Sequence, residues 1–238
     1  MPVERLTSKA YAADCRRRQG FNPPRAPQRE SADTTHVTVA DRDGNIVSAT
    51  HTINGLFGAR FMVPGTGIIP NNYMMNYDPH PGRALSIEPG KRVPTSMAPM
   101  IVSKDGAPRF ALGLPGGLRI FPSAMQAIVN LIDHGMSLQE AVEAPRIWTQ
   151  GQEVEIETPF AAAADGLAKA GHDVKIVPHI GGGMNAIGFG KDRLTGAACW
   201  RADGTAMGIG GGLARPGVRF WPDKAPDDDD ENGIEAEL

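Results

Sequence analysis

A β-hairpin near the start of the chain is the sequence feature that most constrains the fold. The run "THVTVAD" at 35–41 alternates apolar with polar side chains, and "IVSATHTIN" at 46–54 does the same. Between them lies "RDGN", in which Asp43-Gly44 is a strong signal for a tight hairpin turn. The pattern therefore predicts two antiparallel strands, and the first of them follows directly on the polar segment "ESAD".

Further strands and several helices are predicted along the rest of the chain. The segment "MIVSKDGAPRFALG" predicts a second hairpin, with its turn at Asp105-Gly106. Gly116-Gly117 open an apolar helix at about 119–134, and "SLQE" at 137–140 is a capping box that begins another helix. One more helix is expected near 6–18 and another in "PFAAAADGLAKAGH", with short strands in "EVEIET", "DVKIVP", "NAIGFG" and "TGAACW". Hairpins together with a separate group of helices predict an α+β domain of antiparallel sheets covered by helices.

Composition excludes several classes of function. The 238 residues suffice for one large domain or two small ones, and a net charge of −3 without a basic stripe argues against a nucleic-acid surface. No apolar run approaches the roughly 18 residues of a membrane span. Cys15 and Cys199 are too far apart in sequence to indicate a disulfide framework, and Cys199 in "GAACW" is predicted to be a small buried side chain.

Thr34 lies at the junction between the polar segment and the first strand. In one interpretation it is simply a β-branched residue that suits a strand. In the other it is a nucleophile that acts after the bond before it is cut. A free N-terminal threonine carries a hydroxyl and an α-amine with a pKa of about 7.7–8.0, so the amine can accept the proton of its own hydroxyl. The residues alone leave both interpretations open.

A family resemblance favours the second interpretation. The run "TTHVTVADRDGNIVSATHTINGLFG" resembles the start of the small subunit of γ-glutamyltranspeptidases, and the similarity continues through "GTGIIPNN", "KRVPTSMAPMIVSKDG", "PGGLRI" and "VNLIDHGMSLQEAVEAPR". It covers roughly residues 34–200 in the same order. The resemblance implies an N-terminal-nucleophile (Ntn) hydrolase with a four-layer αββα sandwich. Such an enzyme is made as a precursor that cleaves itself, here between Asp33 and Thr34.

Domain organisation and partners follow from the same resemblance. It implies that residues 1–33 are the tail of a large subunit and a linker, that 34–222 form the small-subunit domain, and that 223–238 are an acidic disordered tail. The expected partners are a small-molecule γ-glutamyl or other acyl amide and a large-subunit region outside this chain, with a homo-oligomer left open. No cofactor, metal, nucleic acid or membrane is implied. "MPVERLTSKAYAADCRRRQG" has no apolar signal-peptide core, and the compartment stays open between periplasm and cytoplasm.

The family's functional positions map onto this chain one by one. Thr34 matches the nucleophile, and Thr52 matches the threonine that hydrogen-bonds it and assists maturation. Gly116-Gly117 match the pair whose N–H groups form the oxyanion hole, a role that suits glycines ahead of a helix N-terminus. The remaining matches are all expected to contact substrate, and they are Asn54, Tyr73, Asn76, Thr95 and Ser96.

Tyr73 and Asn76 depart from the family pattern. After "GIIPNN" the family typically has an acidic or amide residue and then, three positions on, a buried aspartate, and these hold the α-ammonium of the glutamyl group. A neutral Asn76 still accepts a hydrogen bond but provides no charge assistance, which is worth about 1.5–3 kcal/mol for a charged partner. The same change to asparagine is a feature of related cephalosporin acylases, which remove a glutaryl group that has no amine. Three hypotheses therefore remain: a γ-glutamyl transferase or hydrolase, an acylase or amidase for another carboxylate-bearing acyl group, and a truncated product that does not mature.

Three other features have less specific interpretations. His36 and His51 match no zinc spacing and are predicted to lie on strand faces. The glycines of "HIGGGMN" and "GIGGGLARPG" do not follow the strand–helix arrangement of a phosphate-binding loop. Arg119 follows the glycine pair and is expected to fix that loop rather than to contact substrate.

Overall fold

The computed structural model describes residues 3–18, 33–151, 153–191, 193–202, 204–208 and 211–213. The predicted tail at 223–238 and most of the predicted linker lie outside these residues. The helices are α1 (Val3–Leu6), α2 (Lys9–Arg17), α3 (Ile120–Ile132), α4 (Leu138–Glu143) and α5 (Ala164–Lys169). Short 3₁₀ turns cover Tyr73–Asn76, Gly117–Arg119 and Thr158–Ala163.

Eleven strands are found in the described residues, and they form two two-stranded sheets, one three-stranded sheet and one four-stranded sheet. The strands are β1 (Asp33–Ala40), β2 (Ile46–Asn54), β3 (Met100–Lys104), β4 (Ala107–Gly113), β5 (Ile147–Thr149), β6 (Glu153–Glu157), β7 (Asp173–Val177), β8 (Asn185–Phe189), β9 (Leu194–Ala198), β10 (Met207–Gly208) and β11 (Gly211–Leu213). β1 and β2 form the predicted hairpin, and β3-β4-β8-β9 form an antiparallel sheet. β5-β6-β7 form a third sheet, and β10 pairs with β11.

The hairpin β1–β2 and the helices α3 and α4 lie on opposite faces of the four-stranded sheet. Phe110 and Leu112 of β4 pack in the buried core with Ile120 and Ala124 of α3 and Val142 of α4. The neighbouring Gly113 has the opposite orientation, since a Cβ built on it would meet the His36 imidazole of β1. Alternation along β4 therefore produces three layers, hairpin, sheet and helices.

Local sequence signals account for the helix boundaries. Ser137 and Glu140 form the predicted capping box: the Glu140 N–H donates to the Ser137 hydroxyl, and the Ser137 N–H donates to the Glu140 carboxylate. The helix predicted near 6–18 is found as two pieces, α1 and α2, and Ser8 caps the second. Cys199 is buried, as predicted.

The structure differs from the sequence prediction in two details in the middle of the chain. The helix predicted in "PFAAAADGLAKAGH" is a 3₁₀ turn, with Pro159 in its first turn, followed by the short helix α5. β6 and β7 pair in parallel, whereas the sequence predicted antiparallel sheets. The helical segment between these two strands reverses the chain direction, as a crossover connection requires.

Large apolar side chains remain exposed on two surfaces of the described chain. On the outer face of α3, Phe121, Met125 and Ile132 are each more than half exposed, at 55%, 57% and 59%. The outward face of the hairpin exposes Val37, Val39 and Val47. Within the described residues, no helix has the length and apolar character needed to cross a membrane.

Candidate active site

Thr34 and Thr52 lie opposite each other at one end of the hairpin. The two Oγ1 atoms are 2.8 Å apart. Thr52 Oγ1 also donates to the carbonyl oxygen of Asp33, at 3.1 Å, and accepts the N–H of Asn54, at 2.8 Å. The strand register shifts between Asp33 and Thr34, so the ladder is irregular at the bond that was predicted to be cut.

Counting donors and acceptors fixes the direction of the bond between the two hydroxyls. A threonine hydroxyl has one proton and two lone pairs. The Thr52 proton goes to the Asp33 carbonyl, and one lone pair accepts the Asn54 N–H. The Thr34 hydroxyl must therefore donate to Thr52, so the Thr52 oxygen is bonded both to the Thr34 hydroxyl and to the carbonyl oxygen of the preceding residue, Asp33.

Asn54 ends β2 with a left-handed backbone, at φ 70°. Asparagine tolerates this conformation better than most residues do. The following turn is tied to the "PNN" segment, since the Gly55 N–H donates to Asn72 Oδ1 at 2.8 Å and the Asn72 N–H donates to the Ile53 carbonyl at 3.2 Å. Asn72 was not predicted as a site residue, and its only signal in the sequence was its place at the end of the motif "GTGIIPNN".

The predicted substrate residues form two further groups. Tyr73 and Thr95 join through their hydroxyls at 2.8 Å, and the Met97 N–H donates to the same Thr95 oxygen. Asn76 Nδ2 lies 3.4 Å from the Pro94 carbonyl oxygen, just before Thr95. Ser96 donates to the Gly117 carbonyl oxygen at 2.7 Å and so joins the glycine pair. Among the described residues, no hydrogen bond links these groups to Thr34 or Thr52.

Gly116 and Gly117 occupy backbone conformations that other residues avoid. Their φ angles are 137° and 57°. A Cβ on Gly116 would lie 2.8 Å from Gly181 Cα and 2.9 Å from Gly182 N, while the Gly182 N–H donates to the Pro115 carbonyl at 2.9 Å. Within the described part of the chain, neither N–H of the glycine pair donates a hydrogen bond. Two free amides ahead of helix α3 are suited to bind a developing negative charge.

A cluster of buried charged side chains is hydrogen-bonded to the backbone of the Gly181-Gly182 turn and of Ile180, just before it. Arg146 Nη1 donates to the carbonyl oxygens of Ile180 and Gly182, at 2.9 and 3.0 Å. Glu157 accepts the backbone N–H groups of Arg146 and Ile180 and is paired with the Arg201 guanidinium. Burial, and then the neighbouring positive charge of Arg201, lower the pKa of Arg146 to about 10. Sequence reasoning missed this cluster, because its members are separated by 11 to 55 positions.

Arg119 contacts two residues of the β5–β6 hairpin. Its Nη2 atom is 2.5 Å from Glu155 Oε2, and its guanidinium lies 3.9 Å from the ring centre of Trp148. These contacts agree with the expectation that Arg119 fixes the loop after the glycine pair.

His36 and His51 lie on opposite faces of the hairpin. His36 is buried, and burial lowers its pKa to about 4, whereas His51 is exposed. No group of three or more histidine, cysteine, aspartate or glutamate side chains within the described residues is arranged to hold a metal ion.

Comparisons with known proteins agree on one family. The family model described as gamma-glutamyltranspeptidase matches residues 1–209. The chain is 63% identical over 229 residues to the Acylase ACY 1 proenzyme of Pseudomonas sp. strain SE83, an alignment that covers 92% of this chain and 41% of that protein. It is 40% identical over 181 residues to the glutathione hydrolase proenzyme of Bacillus subtilis strain 168, covering 74% of this chain and 31% of that protein. The chain thus spans about two fifths or less of the length of these relatives.

Solved structures of the same family have the same fold. The γ-glutamyltranspeptidase of Pseudomonas nitroreducens superposes with a TM-score of 0.67 at 34% identity, covering 74% of this chain and 99% of the solved chain. Cephalosporin acylase from Bacillus halodurans superposes with a TM-score of 0.71 at 31% identity, covering 85% of this chain and 39% of that one. The predicted α+β Ntn-hydrolase fold is thereby confirmed, and the chain belongs to the γ-glutamyltranspeptidase family.

Proposed function

We propose that this chain carries the nucleophile of a self-cleaving acyl transferase or hydrolase that acts on γ-glutamyl-type amides through an acyl-Thr34 intermediate. The observation that carries the proposal is the geometry around the Asp33–Thr34 bond. The Thr52 hydroxyl donates to the carbonyl that would be attacked, and the Thr34 hydroxyl that would attack it is bonded to the same oxygen of Thr52.

Self-cleavage follows from this arrangement in two steps. Thr34 Oγ1 attacks the Asp33 carbonyl carbon, and the Thr52 hydroxyl stabilises the oxyanion that forms on the Asp33 oxygen. The C–N bond breaks, the hydroxyl proton passes to the Thr34 nitrogen, and an Asp33–Thr34 ester remains. Water then hydrolyses the ester, leaving a carboxylate on Asp33 and a free amine on Thr34.

The mature site would use the same hydroxyl on an external amide. The Thr34 α-amine accepts the proton of Oγ1 as that oxygen attacks the acyl carbon, and the proton is passed to the departing amine. The N–H groups of Gly116 and Gly117 would stabilise the oxyanion. Water or an acceptor amine then takes the acyl group from Thr34 and restores the hydroxyl.

A second candidate substrate is an acyl group without an α-amine, such as glutaryl. Tyr73 and Asn76 supply only neutral groups where an ammonium would need a charged partner. Thr95 Oγ1 is already bonded to the Tyr73 hydroxyl and the Met97 N–H. The 63% identity with a protein named Acylase ACY 1 supports the same candidate.

We also propose that a large-subunit region of the complete protein covers the exposed apolar surfaces. The outer faces of α3 and of the hairpin carry large apolar side chains at 50% exposure or more, including Phe121, Met125, Ile132, Val37 and Val47. Exposed apolar surfaces of this kind mark contact sites. The alignment covers only 41% of the Acylase ACY 1 proenzyme. The rest of such a protein is long enough to cover both apolar surfaces.

Mass spectrometry of Thr34→Ala and Thr35→Ala tests the cleavage step in the complete natural polypeptide. Thr34→Ala should remain uncut and should not turn over substrate, because the attacking oxygen is gone. Thr35→Ala removes the adjacent, exposed threonine and should still yield a fragment that begins at Thr34. If the unmodified chain yields no such fragment, it is an inactive product and the proposal is wrong.

Two chromogenic anilides distinguish the substrates. The cleaved protein should hydrolyse γ-glutamyl-p-nitroanilide, and glutaryl-p-nitroanilide measures the second candidate. An Asn76→Asp variant should shift the ratio of the two kcat/KM values towards the γ-glutamyl compound, because a carboxylate pairs with the α-ammonium. If the ratio of the two kcat/KM values does not change, Asn76 does not contact the α-ammonium of the substrate.

A further inference from the structure

A row of polar side chains continues from the reactive end of the hairpin along its buried face. The strand register places Thr34 opposite Thr52, His36 opposite Thr50, and Thr38 opposite Ser48. Because side chains alternate along a strand, all six lie on the same face of the hairpin. This face packs against the four-stranded sheet, and His36 is 6% exposed.

The hydrogen bonds around His36 have a determined direction. Asn185 Nδ2 donates to the His36 carbonyl at 2.8 Å, which turns Asn185 Oδ1 towards Thr38, and the Thr38 hydroxyl donates to it at 3.1 Å. Since Thr38 has no second proton, its oxygen must accept from His36 Nε2, which is 3.0 Å away. Burial lowers the pKa of His36 to about 4, so near pH 7 the ring carries one proton and Nδ1 accepts from the Thr50 hydroxyl at 2.8 Å. The imidazole is thus a neutral Nε2–H tautomer.

Gly113 provides the space that the imidazole fills. A Cβ at this position would lie 2.2 Å from His36 Cε1 and 2.5 Å from Nδ1, so no other residue at 113 is compatible with the ring in place. Gly113 ends β4 and precedes Gly116 by three residues. His36 therefore connects the strand of the nucleophile with the strand that leads to the glycine pair.

We propose that His36 is a positioning residue for Thr34, a role that rests on the proposed acyl-transfer function. Its ring, bonded at both nitrogens and packed over Gly113, holds the reactive end of β1 at a fixed place relative to the glycine pair. Acyl transfer needs the attacking oxygen and the oxyanion donors to act on the same carbonyl group. An error of about 1 Å in such a placement can cost about 10²-fold in rate.

The surroundings of His36 keep the ring neutral. The groups that face it are the hydroxyls of Thr38, Thr50 and Ser48, the backbone of Gly113, and the amide of Asn185, and none of them is charged or titrates. A neutral ring accepts from Thr50 and donates to Thr38 at the same time. An imidazolium would donate from both nitrogens, so the Thr50 oxygen would have to accept and the Thr50 proton would need another acceptor.

The test compares His36→Leu with His36→Gln in the complete natural polypeptide. Both side chains have a volume close to that of histidine, but only glutamine can accept from Thr50 and donate to Thr38. His36→Leu should lower kcat by about 10²-fold with KM changed less than about twofold, and His36→Gln should retain kcat to within about tenfold. His172 is exposed and lies outside both the hairpin and α3, so His172→Gln is the control and should behave as the unmodified protein does.

The outcomes separate three cases. Equal losses of kcat in His36→Leu and His36→Gln, or a loss that appears in KM alone, would mean that His36 acts only by packing. A kcat of His36→Leu within about threefold of the unmodified value would overturn the proposal outright. If the unmodified protein neither cleaves nor turns over substrate, the proposed function fails instead. Should His36→Leu not fold, Thr50→Val removes the hydrogen bond to His36 Nδ1, and Thr38→Val removes the bonds to His36 Nε2 and to Asn185. Both variants are expected to reproduce the loss of kcat.

Discussion

Replacing Glu157 by glutamine should destabilise the protein far more than the same replacement at Glu153 on the same strand. The Glu157 and Arg201 side chains are fully buried, with no exposed area. The Glu157 carboxylate accepts two backbone N–H groups, from Arg146 at 2.9 Å and Ile180 at 2.7 Å, as well as the Arg201 guanidinium. Glutamine would remove the negative charge and direct an NH₂ group at one of these donors.

The expected cost is about 3–5 kcal/mol, the range for breaking a buried ion pair by removing one partner. It arises because the Arg201 charge stays buried without its paired carboxylate, and because one N–H group is left unsatisfied. Such a loss is a large fraction of a domain's stability of about 5–15 kcal/mol. The turnover number should fall as well, since Ile180 and Arg146 hold the turn that contacts Gly116.

Urea unfolding measures this difference directly. Trp200, whose ring centre lies 4.7 Å from the Arg201 guanidinium, reports the transition by its fluorescence. Glu153 pairs with Lys175 at 3.0 Å at the surface, so Glu153→Gln should change the urea midpoint little. Added salt screens this surface pair and should make the change smaller still. If the two variants lose the same free energy of unfolding, the buried carboxylate contributes no charge pairing and the reasoning is refuted.

Two further predictions concern the glycine pair and the buried histidine. Gly116→Ala should lower kcat by about 10²-fold, because its Cβ would push the oxyanion amides away from Gly181 and Gly182. Gly135→Ala, at a left-handed position with open space around it, should leave kcat unchanged, and equal losses would contradict this account. Burial lowers the pKa of His36 from 6.5, the value expected in the unfolded chain, to about 4 in the folded protein. The unfolded chain therefore takes up the proton at a higher pH than the folded protein does. The free energy of unfolding should fall as the pH drops from about 6.5 to about 4. Urea midpoints of His36→Gln should show a smaller fall over that range, and an identical fall would mean that His36 is not the group responsible.

Local signals in the sequence predicted the parts of the structure that depend on near neighbours. The turn at Asp43-Gly44 and the capping box at Ser137 and Glu140 each need only a few adjacent residues, and the structure confirms both elements. Thr34 and Thr52 were paired on the basis of the resemblance, and a hairpin of fixed register places them opposite each other. The roles proposed for these residues in catalysis stay predictions until the variants are measured.

Features that depend on distant residues were not predictable in the same way. Glu157 and Arg201 are 44 positions apart, and only the fold brings them together. The parallel pairing of β6 with β7 depends on the path of the segment between them, which short strand patterns do not specify. His36 was assigned correctly to a strand face, but its burial depends on Gly113, and a glycine in a strand does not reveal which side chain fills the space above it.

The beginning of β8 connects both halves of the candidate site. Asn185, its first residue, bonds the His36 carbonyl and the Thr38 hydroxyl of the strand that carries Thr34. The Gly181-Gly182 turn lies just before β8, contacts Gly116 and is held by Arg146. One short segment, from 181 to 185, therefore contacts both the nucleophile strand and the oxyanion turn. Because Glu157 supports one end of this segment and His36 contacts the other, residues remote from Thr34 in sequence can determine whether its oxygen and the two glycine amides meet at the same carbonyl group.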